Sequence, residues 1–291
     1  MTGLLMLVAS PALHGQSSEP QAARELVRQT VDNEVRSNND GTKYMFCDQK
    51  EFVHGSQTKL VVETTEATAG MLVAVDGKPL GPEQKQAEEA RLHALANSPN
   101  DLRRKRKAER DDTERTERII RALPDAFVFE EDGGELGKPG MGKNGDQLVR
   151  LKFRPNPAYD PPTHTEQVLT GMEGYVLIDA AKHRIAVIDG TLVKDVGFGW
   201  GILGHLDKGG RFVVVQGDMG SGTWEITRMD LSFTGKILLF KKLEIKSNEV
   251  FSNFRQVPGN LTFAQGVELL KKQREELAEN HDLPPRNGHS P

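Results

Sequence analysis

The chain has 291 residues and carries 38 Lys and Arg against 42 Asp and Glu, so its net charge of -4 excludes a basic nucleic-acid binder and gives no overall attraction to acidic membrane surfaces. An apolar share of 36% is low, but counting the 29 glycines and leaving out the tyrosines raises it to roughly 45%, the lower edge of globular usage, at a length that can bury a core. A single cysteine, Cys47, excludes an intramolecular disulfide and a cysteine-rich zinc site.

Residues 1–17 open with the apolar run Met1-Thr-Gly-Leu-Leu-Met-Leu-Val-Ala9 and the small-residue end Ser10-Pro-Ala12. This predicts a secretory signal, atypical in having no Lys or Arg before the apolar run and too short to span a bilayer. Cys47 is far from the end of this leader, so no lipid anchor is expected. Within Tyr44-Met-Phe-Cys47 it reads as a buried, inert thiol.

Ser18-Glu-Pro-Gln21 has the form of a capping box, and Ala23, Leu26, Val27, Thr30, Val31 and Val35 then recur at spacings of three and four, predicting an amphipathic helix. Strands are expected over Thr42 to Cys47, Thr58 to Thr64 and Met71 to Val75, with Asp76-Gly77 as a turn. From Pro82 to Leu123 the composition shifts to Glu, Gln, Lys, Arg and Ala, predicting an insertion of two solvated helices broken at Ser98-Pro99-Asn100. Between Asp101 and Arg118 there are 8 basic and 6 acidic residues, so Arg103-Arg-Lys-Arg-Lys107 reads as an ion-paired helix face rather than a nucleic-acid patch.

Strand patterning resumes at Ala126-Phe-Val-Phe129 and at Val149, Leu151 and Phe153, with Gly133 to Gly145 between them as a mobile connection. A short helix is expected near Thr163 to Met172. Tyr175-Val-Leu-Ile178, Arg184-Ile-Ala-Val-Ile188 and Phe212-Val-Val-Val215 are β-branched runs, with Asp189-Gly190, Gly209-Gly210 and Thr234-Gly235 placed as turns between strands. Trp224 and Ile226 are even-numbered, whereas Met229, Leu231 and Phe233 are odd, a phase slip that predicts a β-bulge at Thr227-Arg228. Alternation from Lys236 to Lys246 predicts one long, half-exposed strand. Thr262-Phe-Ala-Gln265 repeats the capping-box pattern and opens a helix to about Leu277, followed by a polar, disordered tail over 278–291.

These elements predict a mainly β, α+β domain over 18–277, without a catalytic motif. Gly197-Phe-Gly-Trp-Gly201 lacks the following helix a phosphate needs, and Gly220-Ser221-Gly222 lacks the spacing of a nucleophile elbow. The eight histidines are scattered singly, so no metal or cofactor is expected. Phe198, Trp200 and Trp224, each in a strand-like stretch, are the candidates for lining an apolar cavity.

The leader, the amphipathic first helix, the meander and the run Gly171-Met-Glu-Gly-Tyr-Val-Leu-Ile-Asp179 followed by Arg184-Ile-Ala-Val-Ile-Asp-Gly190 together resemble the outer-membrane lipoprotein-sorting fold. That group includes the periplasmic carriers LolA and LolB and the lipoprotein-binding regulator RseB. The resemblance implies a strongly curved antiparallel sheet, or half-open β-barrel, with helices on its concave side. It implies a periplasmic, non-enzymatic protein that binds a lipid or lipoprotein acyl chain, or alternatively an envelope interaction or sensing module that engages a protein partner. No nucleic acid and no transmembrane span are expected.

Overall fold

A computed structural model describes residues 19–37, 41–198, 204–220, 222–237 and 241–279. The expected signal, the Ser18 cap and the tail beyond 279 lie outside these residues. The first helix, α1 (Glu19–Ser37), buries Ala23, Val27, Thr30, Val31 and Val35 of the predicted stripe and leaves Leu26 half-buried. It leads into a meander of β1 (Lys43–Phe52), β2 (Gly55–Val62), β3 (Ala69–Val75) and the two-residue β4 (Lys78–Pro79). Asp76 and Gly77, both at positive φ, form the tight turn between β3 and β4. Helices α2 (Pro82–Ala96) and α3 (Pro99–Ala126) follow, broken where expected, with Ser98 capping α3 by accepting from the Asp101 N–H.

The rest is β5 (Phe127–Leu136), β6 (Gln147–Pro155), a 3-10 turn (Glu166–Gly171), β7 (Met172–Asp179), β8 (Arg184–Leu192), β9 (Val196–Phe198), β10 (Gly204–Leu206), β11 (Arg211–Asp218), β12 (Trp224–Ile237), β13 (Lys241–Val257) and α4 (Phe263–Glu279). The 13 strands of the described residues join one antiparallel sheet, whose main path runs β4-β3-β2-β1-β13-β12-β11-β8-β7-β6-β5. It is an open sheet, since β4 and β5 end the path unpaired with each other. Five register shifts interrupt its ladders, and each bends the sheet locally. One is the predicted bulge: Val215 opposes Arg228 while Gln216 opposes Ile226, so Thr227 is the extra residue.

The core has separate layers. Alternation along β6 and β7 sends Leu151, Phe153, Val176 and Ile178 to the face covered by α1 and the end of α3, and Leu148 and Leu177 to the other face. At the far end of the sheet Met45, Cys47, Leu60, Val62 and Met71 pack with α2, α4 and Leu102 of α3. The Thr262 capping box is present, Gln265 N–H donating to Thr262 Oγ1 and Thr262 N–H to Gln265 Oε1.

Four sequence expectations are corrected. Asp189-Gly190 and Thr234-Gly235 lie inside β8 and β12 rather than at turns. Their glycines answer to close approach: a Cβ on Gly190 would meet the Phe212 ring at 2.6 Å, and one on Gly235 the His205 carbonyl oxygen at 2.1 Å. The stretch Lys236 to Lys246 is not one strand, because Ile237 and Lys241 are antiparallel partners on two different strands. Finally, 133–145 is held by hydrogen bonds, including Gly142 N–H to the Gln216 carbonyl at 2.7 Å and the Thr227 hydroxyl to the Gly140 carbonyl at 2.6 Å. A glycine-rich composition signals freedom of φ, which here serves a tight loop docked against β11 and β12.

Candidate functional site

Directly opposed residues of an antiparallel ladder share a face, so the register maps the middle of the sheet. From Ile188 of β8, under α1, the row runs through Val214, Met229 and Glu249 to Lys50. The next row contains Phe212, Leu231, Ser247 and Phe52, and the one beyond pairs Phe233 with Ile245. Phe212, Val214, Met229, Leu231 and Phe233 are therefore an apolar strip continuous with the α1-covered core, yet only half-buried. An apolar surface on a central strand that is left partly open is the site an apolar ligand can use.

Helix α3 is tied down at both ends. Its start packs on α2, Lys105 lines a cavity of about 360 Å³ with Lys59, Leu72, Arg91, Leu92 and Phe263, and Glu109 accepts from the Thr68 N–H. Its end packs on α1 and β5 through Leu123 and Ala126. Between them, 112–116 is exposed on every side, and the central strands are not among its main packing partners. A helix polar all round bridges through solvent instead of lying on a core. Its charges are satisfied locally by pairs such as Lys105 with Glu109, Lys107 with Asp111 and Arg110 with Glu114, the ion-paired face expected from the sequence.

At the β1 end of the strip the polarity changes. Lys50 forms an ion pair with the buried Glu249, and Asp48, opposite Lys59 in the β1–β2 ladder, has a buried Oδ1 that accepts no hydrogen bond. Burial, and then the like charge of Glu249, raise the Asp48 carboxyl above its usual range. Burial foremost also pushes the neighbouring Cys47 thiol up to about 11. A second buried pair fastens α1: Glu34 Oε1 accepts from Arg184 Nε at 3.1 Å and from the Ile185 N–H at 2.7 Å, with both side chains nearly inaccessible. Burial raises the Glu34 carboxyl even so, with Arg184 opposing it.

The two candidate aromatics among the described residues, Phe198 and Trp224, lie in different core clusters. Phe198 is half-buried against the α1-side core. Trp224 is 5% exposed in a different cluster with Met141, Leu148, Leu177 and Val187, under the Arg184 guanidinium at 5.6 Å, and its indole N–H has no partner. Trp200 lies outside the described residues. The strip residues were visible in the sequence only as alternating apolar positions, and their partial exposure depends on which strands and helices flank them. Among the described residues no cluster of three or more His, Cys, Asp or Glu could hold a metal ion, and no helix is long and apolar enough to cross a membrane.

No family model matches the chain, and no curated protein does. Among solved structures it is similar to a DUF1329 family protein from Desulfovibrio piger, at 10% identity and a TM-score of 0.28, over 87% of this chain and 100% of that one.

Proposed function

We propose that this is a non-enzymatic, exported binding protein of the bacterial cell envelope that holds a lipid or lipoprotein acyl chain on the open apolar strip of its sheet. The observation that carries this reading is the half-buried row Phe212, Val214, Met229, Leu231 and Phe233, beside a helix anchored at its two ends. Each fully buried CH₂ contributes about 0.8 kcal/mol, so a chain of ten carbons gains about 8 kcal/mol at full coverage and roughly half of that when one side stays in water, before the cost of association. The periplasmic location rests on the apolar leader and on the resemblance to the lipoprotein-sorting fold.

Calorimetric titration with dodecanol tests it. Saturable binding should appear in the wild type and weaken at least tenfold in Met229→Glu, a half-buried position where a charge spoils the strip without emptying a core site. Absence of binding in a folded wild type would sink the reading. Co-purification of a protein instead of lipid from the native envelope would favour the interaction module.

A further inference from the structure

β12 and β13 outrun their neighbours. β1 leaves the ladder at Phe52 opposite Ser247, whereas β13 continues to Lys241, six residues or about 20 Å further. Among the described residues β13 pairs over that length only with β12, and β10 flanks β12 on the other side, so the hairpin projects as an arm with one edge unpaired by them. From 231 to 246 the arm carries Lys236, Lys241, Lys242 and Lys246 against the single Glu244, in a chain that is net acidic. All four lysines are exposed. Pleat alternation puts Lys236, Lys242 and Lys246 on one face with Glu244, which pairs with Lys242 at 3.4 Å, and Phe233, Leu243 and Ile245 with Lys241 on the other, in line with the apolar strip. Ile245 is 40% exposed, and at the arm's base the β1–β2 tip exposes Phe52 and Val53, which share a groove of about 420 Å³ with Arg211 and Lys246 and with the acidic Glu51 and Asp230.

We propose that this arm docks at an anionic lipid bilayer surface, its lysines at the phosphates and Leu243 and Ile245 at the headgroup–acyl boundary. Exposed lysines alone would suit an acidic polypeptide as well. The exposed apolar residues interleaved with them favour the membrane interface, where a basic face and an apolar face are accommodated together. The apolar side of the arm leads through Phe233 to Leu231 and Phe212, so a docked arm connects the bilayer to the strip. The docking itself requires only the arm and does not depend on acyl-chain binding.

Vesicle co-sedimentation of the full chain tests it, using phosphatidylglycerol and phosphatidylcholine at 3:7 against pure phosphatidylcholine. Wild type should bind the anionic vesicles at low salt, release from them at high salt, and ignore the neutral ones. Lys242→Ala/Lys246→Ala should lower partitioning roughly thirtyfold, and Ile245→Ser should lower it without changing the salt dependence. Circular dichroism and melting confirm that these surface variants are folded. Wild type that ignores anionic vesicles, or a lysine double variant that binds as wild type does, overturns the proposal. Binding of polyglutamate but not of vesicles would assign the arm to an acidic polypeptide and overturn it equally.

Discussion

Cys47 and Asp48 are neighbours on β1 and point to opposite faces, and the difference decides their chemistry. Cys47 is enclosed by the α2 and α4 layer with its thiol raised to about 11, so it should resist Ellman's reagent at pH 8 until denaturant is added. Fast labelling of native protein would contradict this burial. Asp48 faces the strip side with an unpartnered oxygen and a raised carboxyl. A carboxyl raised by folding favours the native state most below its unfolded pKa of about 3.9, and that contribution is lost as pH climbs through the folded value. Asp48→Asn should therefore match wild type near pH 3 and become the more stable of the two as pH rises to 8, measured by urea unfolding at each pH. A constant difference would show that the carboxylate charge is not the cause. The Glu34 carboxyl is raised by burial too, but it has a buried partner: Glu34→Ala strands Arg184 and should cost about 3 to 5 kcal/mol.

At the scale of elements, the charged insertion belongs to the fold more than its composition suggested. Beyond the two residues of β4, the edge of β3 is completed by side chains: Leu72 N–H donates to Glu88 Oε1 at 2.8 Å, the Gly70 carbonyl accepts from Arg91 Nη2 at 2.9 Å, and Thr68 N–H donates to Glu109. Glu88 and Arg91 also bind each other, so one turn of α2 substitutes for a paired strand and blunts an edge that could otherwise recruit another chain. Glu88→Ala leaves a backbone donor without its acceptor and should cost about 1 to 3 kcal/mol, with increased aggregation on partial unfolding. Glu88→Gln, which keeps an acceptor, should recover most of that loss. Deletion of Pro82 to Leu123 removes Leu92, Leu102 and Leu123 as well as this edge cover, and should abolish cooperative melting. A short apolar count hid these roles, because an edge is covered by carboxylates and guanidinium groups that look like solvated charge in sequence. Local signals fared better: the Thr227 bulge, the Asp76-Gly77 turn and the Thr262 cap were all legible because a few adjacent residues dictate each one. Asp189-Gly190 and Thr234-Gly235 misled because sequence shows a glycine's freedom but not the ring or carbonyl pressed against it. No glycine, proline or asparagine within 236–246 announces that its two ends belong to different strands.

For the whole molecule, net charge was the least informative number. The total of -4 coexists with an arm of four lysines against one glutamate, while α3 neutralises its charges turn by turn. The two proposed activities can therefore be separated by salt. Binding of dodecanol to the strip buries hydrocarbon and should change little between 50 mM and 500 mM NaCl, whereas vesicle docking through lysines should fall steeply. Hydrogen exchange reads where the ligand lies. With dodecanol bound, amides over Arg228 to Phe233 and Phe212 to Val214 should exchange more slowly, and those of Ala69 to Val75, on the distant edge, should not change. Uniform slowing across the sheet would indicate general stabilisation by a ligand held elsewhere, for instance against Trp224. Slowing confined to Trp224 and the 137–146 loop would move the acyl-binding site off the strip and onto the opposite layer of the core.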